Sequence, residues 1–178
     1  SSRQLAEHLS TSASQVRHDL SYFGGFGLQG YGYRVEDLHR QIGEILGVSS
    51  DRYYVIVGAG SLGQALARYP VFEEVGFHLE ALFDNDPAKI GSDIGGVRVR
   101  NVIGLGDCIR EGRVDIVVIT ARAAAAQGIA DAAAAAGCGG VLNFAPVDLQ
   151  VTGPMQVRNI HLTDKLLALS YRLQHGGE

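Results

Sequence analysis

Tyr53-Tyr54-Val55-Ile56-Val57-Gly58-Ala59-Gly60-Ser61-Leu62-Gly63 decides how the rest of this 178-residue chain is read. Two aromatics and three β-branched residues make a short apolar run, as in a parallel strand buried on both faces. Glycines follow at once in Gly-x-Gly-x-x-Gly spacing, and Gln64-Ala65-Leu66-Ala67-Arg68 continues as helix. Strand, glycine turn and helix are the context in which that spacing holds a dinucleotide. Gly58 is expected to allow the tight turn, Gly60 to let backbone approach a pyrophosphate, and Gly63 to let helix pack close to strand. The helix start offers unpaired N–H groups to the phosphates. Gly58, Ala59, Gly60, Ser61, Leu62 and Gly63 are therefore candidate cofactor contacts.

Phe77-His78-Leu79-Glu80-Ala81-Leu82-Phe83 reads as the next strand, and Asp84 closes it. A carboxylate there accepts hydrogen bonds from a ribose diol and repels a 2′-phosphate, which favours NAD(H) over NADP(H). The separation from Gly58 slightly exceeds the usual one, and the loop Tyr69–Gly76 is expected to absorb the excess.

Hydrophobic residues are 46% of the chain and charged ones 19%, a globular balance. No apolar run reaches the ~20 residues of a membrane span, so no membrane partner is expected. Cys108 and Cys138 show neither metal nor disulfide spacing, and unpaired thiols fit a reducing cytoplasm. No metal site is expected. The net charge of −4 weighs against indiscriminate nucleic-acid binding.

Ahead of the glycine turn, Ser1-x-x-Gln4 and Ser12-x-x-Gln15 are capping boxes opening two short helices. Leu5, Ala6 and Leu9 share a face in the first, and Val16 and Leu20 in the second. Helix, polar break and helix is the plan of a helix-turn-helix. Ser14, Gln15, Arg17, His18 and Ser21 then lie on the exposed face, placed for base edges or phosphates. A small helical hairpin without a nucleic-acid role has the same spacing. Phe23 to Val35, glycines interleaved with aromatics, predicts a twisted hairpin or wing, with Phe23 and Tyr33 packing. Glu36 to Leu46 is an amphipathic helix with Leu38, Ile42 and Ile45/Leu46 inward. A domain boundary falls in the linker Gly47–Arg52.

Beyond Asp84 the pattern alternates. Asn85 to Gly91 is a polar turn, Gly95 to Val99 a strand, Leu105 to Glu111 a helix and Val114 to Thr120 a buried strand. Arg122 to Ala136 is an alanine-rich helix and Gly140 to Phe144 a strand. That order predicts a doubly wound parallel α/β sheet. Met155 to Ile160 is extended. His161 to Gln174 is a helix with Leu162, Leu166, Leu169 and Leu173 in one stripe, either a dimer element or packed on its own domain.

Taken together, the residues resemble the Rex family of redox-sensing transcriptional repressors. The resemblance rests on Gln15-Val16-Arg17-His18-Asp19-Leu20-Ser21-Tyr22-Phe23-Gly24, on Gly27-Leu28-Gln29-Gly30-Tyr31-Gly32-Tyr33, and on the glycine turn. Phe83-Asp84-Asn85-Asp86-Pro87 with Lys89-Ile90-Gly91, and Asn143-Phe144-Ala145-Pro146, complete it. It implies a winged helix-turn-helix domain (1–50), a Rossmann domain (51–160) and a C-terminal dimerisation helix exchanged between protomers (161–178), with the first DNA-binding helix missing. It implies a cytoplasmic homodimer that binds operator DNA, senses NADH/NAD⁺ and is released by NADH. Tyr22, Gln29 and Tyr31 join the DNA-binding candidates. Thr120 and the stretch Asn143, Phe144, Ala145 and Pro146 join the cofactor candidates, the latter near the nicotinamide, and His161 and Leu162 form the switch. His18 and Gln29 stand where the family usually has basic residues, His161 where it commonly has Asp, and Thr120-Ala121-Arg122 where it often has Thr-Val-Pro.

No catalytic residue is expected. A hydride-transfer enzyme needs a proton donor by the nicotinamide, and neither Lys89 nor Lys165 has a Tyr four positions before it. The alternatives are an NAD-dependent oxidoreductase, or a Rossmann protein for CoA or another nucleotide with no DNA-binding role. Asp84 disfavours CoA, whose ribose carries a 3′-phosphate.

Overall fold

The computed structural model describes residues 1–22, 27–28, 32–47 and 50–175. The chain divides into two compact units, Ser1–Ser50 and Asp51–Glu178.

In the first unit, α1 (Ser2–His8) opens with the full capping box, Ser1 and Gln4 each bonding the other's backbone. α2 (Ala13–Ser21) keeps half of the second box: Ser12 accepts from the Gln15 amide, while the Gln15 side chain turns forward to Asp19 at 2.6 Å. The break between them is a left-handed Ser10 at φ 51°, with Thr11 N bonded back to Ala6 O. Strands β1 (Gly27–Leu28) and β2 (Gly32–Tyr33) pair antiparallel, and α3 (Val35–Leu46) follows. Ala6, Val16 and Leu20 form the core, with Leu38 and Ile42 against it. Leu5 and Leu9 stay exposed, and so does Ile45, which was expected to face inward with Leu38 and Ile42.

The second unit is a seven-stranded sheet built from β3 (Arg52–Val57), β4 (Phe77–Asp84), β5 (Asp93–Ile94), β6 (Val97–Asn101), β7 (Ile116–Ile119), β8 (Gly140–Asn143) and β9 (Gln156–Asn159). Its order is β5-β6-β4-β3-β7-β8-β9, parallel except for the β5–β6 hairpin. Gly95 and Gly96, both at positive φ, make that hairpin's turn instead of the strand expected for them. Val55, Ile56 and Val57 are all buried because β3 is covered on both faces. Val55 and Val57 pack under α6 (Leu105–Glu111) and α7 (Ala123–Ala135); Tyr54 and Ile56 pack under α4 (Ser61–Ala67). The loop after α4 holds a short helix, α5 (Val71–Glu74), whose Phe72 meets Tyr54 edge-on. Glu80, a charge inside a strand, sits at a register slip opposite Tyr54/Val55 and stays exposed. α8 (Leu162–His175) contributes nothing to any core cluster among the described residues; Leu162, Leu166, Leu169 and Leu173 are all exposed.

Candidate functional site

The strands β3, β4 and β7 end side by side, and the sequence after each forms one wall of a cavity of about 610 Å³. Gly58 and Gly60 come from the turn after β3. Asp84, Asn85, Asp86 and Lys89 come from the end of β4, and Thr120, Ala121 and Arg122 from the end of β7. Val102, Ala125 and Ile129 add an apolar side. Gly58, Gly60, Asp84 and Thr120 of the candidate residues thus share one wall system.

The three glycines have separable causes. Gly58 sits at φ 114°, and a Cβ there would come within 2.9 Å of the Thr120–Ala121 backbone. A Cβ on Gly63 would overlap the Gly58 carbonyl oxygen, so this glycine lets α4 seat on the turn itself rather than on the strand. Gly60 has an ordinary φ of −80°, and its Cβ would meet nothing within 4 Å. Packing within the fold therefore does not require glycine at position 60.

Asp84 is buried and bonded to its own chain. Its Oδ2 accepts from the Ala59 amide at 2.7 Å and Lys89 Nζ at 3.1 Å, and its Oδ1 from the Asp86 amide at 2.9 Å. Burial alone would push its carboxyl up; the Asp86 and Ala59 amides and the Lys89 ammonium outweigh burial and hold it below the usual carboxylate range. An ionised carboxylate has roughly four acceptor positions, so Asp84 keeps room for one further donor. Its internal role was missed by sequence reasoning, which treats an acid at a strand end as a free ribose acceptor. Lys89, 3.8 Å from Asp86 as well, is already neutralised. Arg122 is exposed, and among the described residues no carboxylate lies within ion-pairing distance of it. Neither Lys89 nor Arg122 was a site candidate, because only the cavity brings them to the turn.

The remaining candidates are placed differently. Ala59 is buried behind the turn, and Ser61 and Leu62 are exposed on the first turn of α4. Asn143 ends β8 beside the end of β7, Phe144, Ala145 and Pro146 follow it, and none of the four lines the cavity. Asn143 is 0% exposed. Its amide donates to Val147 O at 2.7 Å and Asn159 Oδ1 at 2.9 Å while its Oδ1 accepts from Ala145 N, so it braces β8 against β9. His161 Nε2 is shielded from solvent 3.1 Å from Asp148 Oδ1, without an aligned hydrogen bond, and Leu162 is exposed.

In the first unit, Ser14, Gln15, Arg17, His18, Ser21 and Tyr22 are all exposed on or just after α2. Asp19 lies among them, holding Gln15 by a hydrogen bond and His18 Nδ1 at 3.8 Å. Among the described residues Arg17 reaches only Ser2 Oγ, at 3.4 Å. Phe23, Gln29 and Tyr31 lie outside the described residues.

A winged helix-turn-helix unit followed by a Rossmann-type sheet with an open glycine turn defines a class: DNA-binding regulators with a nucleotide-binding domain. Residues 49–147 match the family described as CoA binding domain. The chain is 45% identical to the redox-sensing transcriptional repressor Rex of Clostridioides difficile (strain 630), over 99% of this chain and 84% of that protein. It is 43% identical to the Rex of Thermoanaerobacter sp. (strain X514), over 97% and 77%. The crystal structure of RSP in complex with β-NAD⁺ and operator DNA superposes with a TM-score of 0.89 at 43% identity, covering 99% of this chain and 81% of that one. RSP in complex with β-NADH gives 0.80 at 39%, covering 99% and 82%. The chain belongs to the Rex family of redox-sensing transcriptional repressors.

Proposed function

We propose that this repressor binds NADH and NAD⁺ in the cavity at the glycine turn, binds operator DNA through α2, and leaves DNA when NADH binds. The observation that carries the reading is the open space at the Cβ position of Gly60, a residue lining a cavity that Asp84 and Thr120 also line. The solved relatives bound to β-NAD⁺, β-NADH and operator DNA support it. Gly58 and Gly60 would face the pyrophosphate, Asp84 the adenosine ribose, and Val102, Ala125 and Ile129 the adenine. The nicotinamide would lie toward Phe144–Pro146. Its ring is neutral in NADH and cationic in NAD⁺, and an apolar lining disfavours an unpaired cation. NADH can move the protein off DNA only through its differential affinity for the two arrangements.

We read the protein as a ligand-controlled regulator without turnover, acting in the cytoplasm. No helix among the described residues is long and apolar enough to cross a membrane. The exposed leucine stripe of α8 supports a homodimer in which this helix is exchanged. An apolar groove of about 500 Å³ over β7–β9, lined by Tyr54, Phe72, Ile116, Val118 and Leu142, offers a surface for it.

The match of residues 49–147 to a CoA binding domain favours one second reading, CoA as ligand. Titration with NADH, NAD⁺, NADPH and CoA, read by fluorescence and by mobility of an operator fragment, separates the two. NADH should bind tightest and release the DNA; release by CoA alone would replace this reading.

A further inference from the structure

We propose that Arg122 is the cation that engages the pyrophosphate of the bound dinucleotide. This rests on the dinucleotide reading above. Among the described residues, two cationic side chains line the cavity. Lys89 is spoken for by Asp84 and Asp86; Arg122 has no acidic partner among the described residues.

Its position is unfavourable on its own. Arg122 is the N-cap of the 13-residue α7, in extended conformation (φ −67°, ψ 150°), and makes no capping bond. The first turn of α7 holds no acid. A helix N-terminus carries partial positive charge and favours anions, so a guanidinium there adds like charge to like. Departures of this kind from local preference mark functional positions. A dianionic pyrophosphate resolves the conflict, because the guanidinium fork matches phosphate oxygens. The neighbourhood is right: a Cβ on Gly58 would lie 2.8 Å from Ala121 N, so the residue before Arg122 touches the phosphate-facing turn.

ADP-ribose carries the pyrophosphate without the nicotinamide and isolates this contact. Its dissociation constant and that of NADH are measured for the wild type, Arg122→Ala and Arg122→Lys, with the unfolding midpoint of each unliganded protein. Losing one charge-assisted hydrogen bond should weaken ADP-ribose and NADH alike, by about tenfold or more, in Arg122→Ala. Arg122→Lys should restore part of that, and the unliganded midpoint of Arg122→Ala should not fall. Unchanged affinities in Arg122→Ala, or a loss confined to NADH, overturn the assignment while leaving dinucleotide binding intact. A lowered unliganded midpoint makes Arg122 structural and also overturns it. A wild type that binds neither ADP-ribose nor NADH removes the dinucleotide reading and the inference together.

Discussion

The Ala59 amide donates to the Asp84 carboxylate at 2.7 Å, tying the glycine turn after β3 to the end of β4. The acid proposed to face the ribose therefore also shapes the loop proposed to face the phosphates.

Asp84→Ala should weaken NADH binding and relax discrimination against NADPH. It should also destabilise the unliganded protein by about 1–3 kcal/mol, because buried amides lose their acceptor. Calorimetry with and without each nucleotide checks both. The folded carboxyl is held low, so its contribution is present above the ordinary carboxylate range and is lost as pH falls through the depressed value. An unfolding midpoint whose acid sensitivity matches wild type in Asp84→Asn would rule that out.

Gly60→Val and Gly63→Ala should separate binding from folding. The Gly60 side chain enters open space at an ordinary φ, so the midpoint should hold while NADH binding is lost. At Gly63 the added methyl overlaps the turn, and the midpoint should drop by the equivalent of about 1–3 kcal/mol. Thermal unfolding and NADH fluorescence on the two variants decide it.

Arg17→Ala should lower operator affinity more than any other single change on α2. The salt slope of binding should fall by about 0.9 for the phosphate contact removed. With His18 and Gln29 in place of basic residues, the wild-type slope should already be shallow. A steep slope that survives Arg17→Ala would move the contacts elsewhere.

His78 should give the second unit a pH dependence of opposite sign. Its pKa is raised first by the hydrogen bond to Asp51, opposed by partial burial, and raised again by the Asp51 and Glu73 charges. The stabilisation is full below the ordinary histidine value of about 6.5 and fades as pH rises through the raised folded value. Urea unfolding of wild type and His78→Gln across that range should converge at the alkaline end; a constant gap would discount the charge.

Much of the fold was legible because β3 and β7 are largely buried and read as unbroken apolar runs. The glycine turn was legible because φ at Gly58 and overlap at Gly63 admit little else. The β5–β6 hairpin was not, since two residues of strand carry no period and Gly95-Gly96 breaks whatever surrounds it. α5 was hidden by its length, four residues in a polar loop. At the site, Asp84 could be named from its place at a strand end, but its three internal partners come from three points along the chain. Asn143 entered as a cofactor candidate through the family resemblance; its bracing of β8 against β9 was hidden because the register opposite Asn159 joins residues 16 apart in sequence.

The bare leucines of α8 bear on how the protein comes into being. An isolated helix of 14 residues is marginal in water. If a second copy must cover it, folding finishes only on encounter, and the yield of working repressor rises with the square of chain concentration. Newly made chains at low expression would wait longest, their leucine ladder open to chaperones or to one another. The amount of sensor, as well as its ligand, would then set when repression begins.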